Sequence, residues 1–186
     1  MNPRVIAIVG GKKSGKTTAI ELLIKELAGR GYRIAAVKHI PEPNFTIDEE
    51  GKDTWKYAQA GATTVIAVSS QEIATIEKVA PASFSLKKVL QKCRSSDVVF
   101  LEGFRDLVVK DSRIDKILVV SSAEEAAKDM KIFHPIMAMT GPVQPRIGGQ
   151  QIPYVNVMKN PKKLADLIER TRLKKKPRND FLMPIA

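Results

Sequence analysis

Gly10-Gly11-Lys12-Lys13-Ser14-Gly15-Lys16-Thr17 has the spacing G-x-x-x-x-G-K-[ST], the pattern of a loop that wraps phosphate groups. Each residue type has its own job. The glycines let backbone N–H groups approach an anion with no Cβ in the way. Gly11, Lys12, Lys13, Ser14, Gly15, Lys16, Thr17 and Thr18 then form a cradle around a β-phosphate, helped by the dipole of the helix that follows. Lys16 would reach the β- and γ-phosphates, and the Thr17 hydroxyl would bind Mg²⁺.

A Mg²⁺ shell also calls for carboxylates. Glu102 ends the apolar run Val98-Val99-Phe100-Leu101. That is the edge of an open α/β sheet where ligands bind, whereas Asp97 opens the same run at the far edge. A second acid is expected in the long loop of residues 38–53, where Asp48 and Asp53 are the candidates. One of the two would hold metal or position water, and the other would cap the helix starting near Thr54; Asp53 fits the N-cap reading well. Lys16, Asp48 and Glu102 are the candidate catalytic set, and Thr17, Asp48, Asp53 and Glu102 the candidate metal set. Lys38 ends its strand on the same edge, placed for a phosphate contact. His39 is either an acid–base group or structural. His134 has no evident partner. Arg105 is the arginine nearest to this machinery from the same chain.

The elements that must position these residues follow from hydrophobic period. Residues 5–9, 34–37, 64–68, 98–101, 117–120, 136–139 and 154–157 are apolar runs. Most are continuous rather than alternating, as in strands buried on both faces of a parallel sheet. Between them, Ile20, Leu23, Ile24 and Leu27, then Leu86, Val89, Leu90 and Cys93, then Leu164, Leu167 and Ile168 recur at helical intervals. Gly29 and Gly31 close the first helix and Pro161 opens the last. Residues 63–68 and 72–79, joined by Ser69-Ser70-Gln71, read as a hairpin. The expected fold is α/β: a three-layer P-loop nucleotide-hydrolase architecture, mostly parallel sheet with helices on both faces and an added β-hairpin. One domain is expected over residues 1–173, with a basic tail over 174–186.

Composition sets outer bounds. The chain has 186 residues, 44% of them hydrophobic and 27% charged, which suits a globular core. Cys93 is the single cysteine, so no internal disulfide forms and a reducing cytoplasm is the expected location. No apolar run approaches the ~20 residues of a membrane span. The net charge is +11, and residues 159–178 hold nine basic residues against Asp166 and Glu169. A solvated helix end explains that run, with an anionic partner second. Aromatic content of 5%, with no aromatics among those cations, argues against stacking on single-stranded nucleic acid.

Read in order, Gly15-Lys16-Thr17-Thr18, Lys38-His39, Asp48-Glu49-Glu50-Gly51-Lys52-Asp53-Thr54-Trp55, Ala60-Gly61-Ala62 and Leu101-Glu102-Gly103-Phe104-Arg105 resemble the molybdopterin-guanine dinucleotide biosynthesis protein B family. The resemblance covers roughly residues 4–120. It implies a fold similar to dethiobiotin synthetase, slow hydrolysis of GTP with Mg²⁺, homodimers, and help in attaching GMP to molybdopterin. It further implies contact with molybdopterin or its guanine dinucleotide and with partner enzymes of cofactor biosynthesis. Thr17, Glu102 and an acid of the 48–53 loop would hold Mg²⁺. Pro41-Glu42-Pro43 stands where family members often carry further histidines. No Asn-Lys-x-Asp motif is present, and Met139-Thr140-Gly141-Pro142 lacks an acid for the guanine edge, so GTP over ATP rests on the resemblance. The alternatives are an ATP-dependent small-molecule kinase or ligase of the dethiobiotin synthetase type, and a non-catalytic nucleotide-switched adapter.

Overall fold

The computed structural model describes residues 2–80, 84–109, 111–145 and 152–170. These divide into two compact units, one of Met1–His39 with Val89–Ala186 and one of Ile40–Lys88. The expected tail at 174–186 and its boundary at 173 lie outside the described residues.

In the first unit, β1 (Arg4–Val9), β2 (Ile34–Lys38), β5 (Val98–Glu102), β6 (Asp115–Val119) and β7 (Ile136–Thr140) form a sheet in the order β2-β5-β1-β6-β7. Every pairing in it is parallel. The continuous apolar runs have the reason anticipated for them, since both faces are covered. Ile6, Ile8, Val98, Phe100, Ile117 and Val119 share one core with Ile20, Leu23 and Leu27 of α1 (Lys16–Gly29). Leu164, Ala165 and Ile168 of α6 (Pro161–Arg170) complete it. Leu23 and Leu27 are fully buried, and a buried leucine is worth roughly 1.5–3 kcal/mol in transfer free energy. On the opposite face, Ala7 and Leu101 border one small cavity together with Val108 of α4 (Arg105–Val108) and Phe133. α5 (Ala123–Met130) follows β6.

The C-terminal strand expected over residues 154–157 does not form. Tyr154 makes one isolated parallel bridge to Met139. Val155 and Val157 are buried there, but Asn156 Oδ1 accepts from the N–H groups of Met158 and Lys159 and turns the chain out of the extended path. Pro161 opens α6 as expected, with Asn160 Oδ1 capping Lys163 N at 3.0 Å.

The second unit holds α2 (Asp53–Gln59) and the hairpin of β3 (Thr64–Val68) and β4 (Ile73–Glu77). The hairpin forms where the polar turn Ser69-Ser70-Gln71 placed it. Ser69 Oγ accepts from Glu72 N at 2.9 Å and shapes its turn. Rather than extending the parallel sheet, the pair is a two-stranded sheet of its own. Val65 is buried, while Ile66, Val68 and Ile73 stand 58%, 72% and 70% exposed. α3 (Leu86–Lys92) leads back towards β5.

Candidate nucleotide-phosphate site

The loop between β1 and α1 has the backbone a phosphate cradle needs. Gly10 has φ 145°, and a Cβ there would sit 2.5 Å from the Val119 carbonyl oxygen. Gly15, at φ 97°, caps α1 without any side-chain hydrogen bond, and the first turn of α1 holds no acid. α5 shows what a helix start looks like when it is satisfied from within. Its Ser122 Oγ accepts from Glu125 N at 3.1 Å, and Glu124 and Glu125 lie in its first turn. The start of α1 therefore keeps its N–H groups and dipole for an outside anion.

Two side chains in the loop are arranged the same way. Ser14 is buried, yet its hydroxyl finds no hydrogen-bond partner among the described residues. A buried hydroxyl left unpaired costs about 1–3 kcal/mol, which marks it as waiting for a ligand. Lys16 Nζ folds back onto the carbonyls of Gly10 and Gly11, at 3.3 and 2.5 Å. Neutral carbonyls are a weak substitute for a phosphate as partners of an ammonium group. Lys13 adopts the left-handed conformation at φ 61°, a strain that non-glycine residues seldom carry away from functional loops.

Register brings the carboxylate to the loop. Glu102 pairs with Ile8 on one side and Lys38 on the other. Its side chain is 13% exposed, and Lys38 Nζ lies 3.8 Å from its Oε1. Thr17 Oγ1 donates towards both carboxylate oxygens, at 3.2 and 3.3 Å. Two candidate metal ligands 85 residues apart in sequence thus meet directly. Among the described residues no three His, Cys, Asp or Glu side chains converge, and Mg²⁺ does not require such a cage. It commonly takes one or two protein oxygens, with phosphates and waters supplying the rest. Thr17 and Glu102 fit that requirement.

Asp48 and Asp53 belong to the second unit, where they differ. Asp53 is the first residue of α2 rather than its N-cap; Lys52 holds the cap position and uses no side-chain bond. The Asp53 carboxylate is 79% exposed and pairs with Lys56. Asp48 Oδ1 accepts from Thr54 Oγ1 at 2.9 Å and from Glu49 N at 3.0 Å, while its Oδ2 is buried and unpartnered. Among the described residues, that orphan oxygen is what distinguishes Asp48 from Asp53. His39 N–H donates to Glu102 O at 2.8 Å, and its ring packs 5.4 Å from that of Phe104. Gly103, at φ 86°, is required because a Cβ would approach the His39 carbonyl to 2.8 Å.

One neighbour escaped sequence reasoning. A Cβ on Gly11 would meet Glu125 Oε1 at 2.8 Å, so Glu125 lies against the loop, with Ser121 Oγ donating to its other oxygen. The signal was present as Ser122-x-x-Glu125, a capping box directly after a buried strand.

The family model of molybdopterin guanine dinucleotide synthesis protein B, MobB, matches residues 5–140. The chain belongs to that family. It is 36% identical over 117 residues to the molybdopterin-guanine dinucleotide biosynthesis adapter protein of Haemophilus influenzae, covering 62% of each chain. Against the adapter protein of Escherichia coli it is 30% identical over 104 residues, 54% of this chain and 59% of that one. The chain thus spans less than two thirds of these two curated relatives. A crystal structure of MobB superposes with TM-score 0.69 at 27% identity, covering 92% of this chain and 99% of that chain. A MobB homologue from Bacillus stearothermophilus superposes at 0.67 and 23% identity, over 92% of this chain and 100% of that one, a likeness of fold. The MobB match ends at the last residue of β7, so it takes in β1 to β7 and both carboxylate regions.

Proposed function

We propose that this MobB-family chain binds GTP with Mg²⁺ at the β1–α1 loop and acts as an adapter in the assembly of molybdopterin guanine dinucleotide. The observation that carries the nucleotide reading is the meeting of Thr17 with Glu102 beside an uncapped helix start and an unpaired Ser14. The relatives' printed role supports the pathway. In this reading the loop N–H groups, Ser14 Oγ and Lys16 hold the phosphates, and Thr17 and Glu102 hold Mg²⁺. The metal would neutralise charge on the β- and γ-phosphates. Lys38 screens Glu102 and lies at the phosphate side of the strand ends. Slow hydrolysis of that GTP is part of this reading, as the family resemblance implies. The exposed strands of the hairpin, too small to protect both edge and faces, suit pairing with a second copy in a homodimer. A reducing cytoplasm is the setting that a lone Cys93 favours.

Calorimetric titration with GTP and ATP, with and without Mg²⁺, tests the binding step. GTP should bind more tightly and in a Mg²⁺-dependent way. Preference for ATP would favour a kinase or ligase instead. Glu102→Gln should keep the fold and raise the Mg²⁺ requirement about tenfold, or roughly 1.4 kcal/mol. An unchanged metal requirement would remove Glu102 from the site. Light scattering tests the assembly, where a monomer at micromolar concentration would exclude the homodimer.

A further inference from the structure

We propose that Arg105 reads the terminal phosphate of the bound nucleotide, with Asp129 and Phe133 as the residues that position it. This rests on the nucleotide reading above and adds the residue that distinguishes triphosphate from diphosphate.

Arg105 opens α4, three residues beyond Glu102. Its Nη2 donates to Asp129 Oδ1 at 2.9 Å. The guanidinium carbon lies 4.7 Å from the centroid of the Phe133 ring. Both supports are firmly seated: Phe133 is fully buried and Asp129 is 7% exposed. A carboxylate at one corner and an aromatic face beneath define the plane of the fork.

The way the fork is held is informative. Arg33 closes on Asp97 through two guanidinium nitrogens, Nε and Nη2, one to each carboxylate oxygen. Arg105 spends one of its five donors on Asp129 and is 46% exposed. A tie between α4 and α5 would gain most from the closed, two-nitrogen arrangement. The open arrangement leaves a fixed cation with donors to spare.

Those donors belong to the same space as Lys16. A cavity of about 50 Å³ at the strand ends is bordered by Gly10 and Lys16 on the loop side and by Gly103, Arg105, Val108 and Phe133 on the other. Among the described residues no carboxylate lines it, and Asp129 holds Arg105 from outside it. A planar guanidinium pairs with phosphate oxygens through two N–H groups at once. Lys16 serves the β- and γ-phosphates, and the second cation of the cavity meets the phosphate that only a triphosphate has.

The experiment compares GDP with a non-hydrolysable GTP analogue by calorimetry, in Mg²⁺, for wild type, Arg105→Ala, Arg105→Lys and Asp129→Asn. Wild type is expected to favour the triphosphate. Arg105→Ala should lower triphosphate affinity at least tenfold while GDP affinity stays within about twofold. Arg105→Lys keeps the charge without the fork and should lose several-fold, which decides the matter if the alanine variant does not fold. Asp129→Asn should lose a similar several-fold in the triphosphate-to-diphosphate ratio, a quantity that a purely structural tie would not move. An unchanged ratio in the arginine variants, accompanied only by a lower melting temperature, overturns the proposal. A wild type that binds neither nucleotide overturns the nucleotide reading along with it. Lys16→Ala, which should lose both nucleotides, marks that failure apart from the loss of discrimination alone.

Discussion

At the N-terminal ends of the parallel strands, charged side chains are consumed by the fold. Arg4 donates to the Ile168 carbonyl and pairs with Asp115 at 2.8 Å through its terminal nitrogens, and its buried Nε alone has no partner among the described residues. Arg33 closes on Asp97. Lys116, wholly buried, donates to the carbonyls of Asp111 and His134 at 2.6 and 2.5 Å, and burial pulls its pKa below the ordinary lysine value. At the C-terminal ends of the same strands, Lys16 rests on loop carbonyls, Ser14 is unpaired and α1 begins without a side-chain cap. The two ends share one set of strands and one core. One end is finished largely by intramolecular contacts, and the other is left incomplete, at the edge where we propose that nucleotide binds.

Substitutions at the two ends should therefore separate. Arg4→Met, at the finished end, leaves Asp115 without its partner. Arg4 is buried but Asp115 is 31% exposed, so the loss is about 1–3 kcal/mol, or a melting temperature lower by roughly 5 °C in a chain of this size. Nucleotide affinity, corrected for the folded fraction, should not change. A matching loss of affinity would show that the two ends are coupled.

Lys16→Ala is the reverse case. Triphosphate affinity should fall about 100-fold, near 2.7 kcal/mol, while thermal unfolding moves by no more than about 2 °C. A large loss of stability without loss of affinity would place Lys16 among the structural cations. A smaller effect of opposite sign is expected at Ser14. Ser14→Ala removes an unpaired buried hydroxyl, so the free chain should be as stable as wild type or slightly more so. Nucleotide affinity should fall by about fivefold, near 1 kcal/mol. Lower stability in the free chain would mean that the hydroxyl already has a partner.

The smallest effect belongs to acid titration at the finished end. The Arg113 guanidinium beside Asp111 holds its carboxyl down at about 2, against an ordinary 3.8. A depressed carboxyl contributes stability that is fully present above its unfolded value and is lost as pH falls through its folded value. Its share should therefore be flat above pH 5 and disappear between about pH 4 and pH 2. Arg113→Ala should shrink that loss, because the folded and unfolded carboxyl values then nearly coincide, a change visible in urea midpoints measured across the window. An unchanged acid limb in that variant would assign the loss to other carboxyls.

Much of this molecule was legible in its sequence because the relevant physics is local. Eight consecutive residues specify the phosphate loop, since close approach needs glycine and a phosphate needs N–H groups and a cation at set offsets. Unbroken apolar runs reveal strands covered on both faces, and the Ser69 turn reveals the hairpin. The edge on which Glu102 lies follows from its position after a buried strand. The difference between Asp48 and Asp53 was not legible, because both are acids near one helix start; Asp48 is distinguished by a buried oxygen without a partner among the described residues. The missing strand at 154–157 has a related cause. Apolar content there reflects burial of Val155 and Val157, while Asn156 redirects the backbone.

By itself, then, the sequence determined the strand–loop–helix phosphate motif, the parallel α/β class and the family, all properties of short segments or of their order. Only the tertiary structure decided which distant groups meet. Strand order and register set Glu102 between Ile8 and Lys38 and put it against Thr17. The packing of α4 and α5 near the strand ends gave Arg105 a carboxylate on one side and an aromatic face beneath. The reason is that local propensity acts over a few residues, whereas a site is assembled from chain segments dozens of residues apart. Their meeting depends on how the whole core packs.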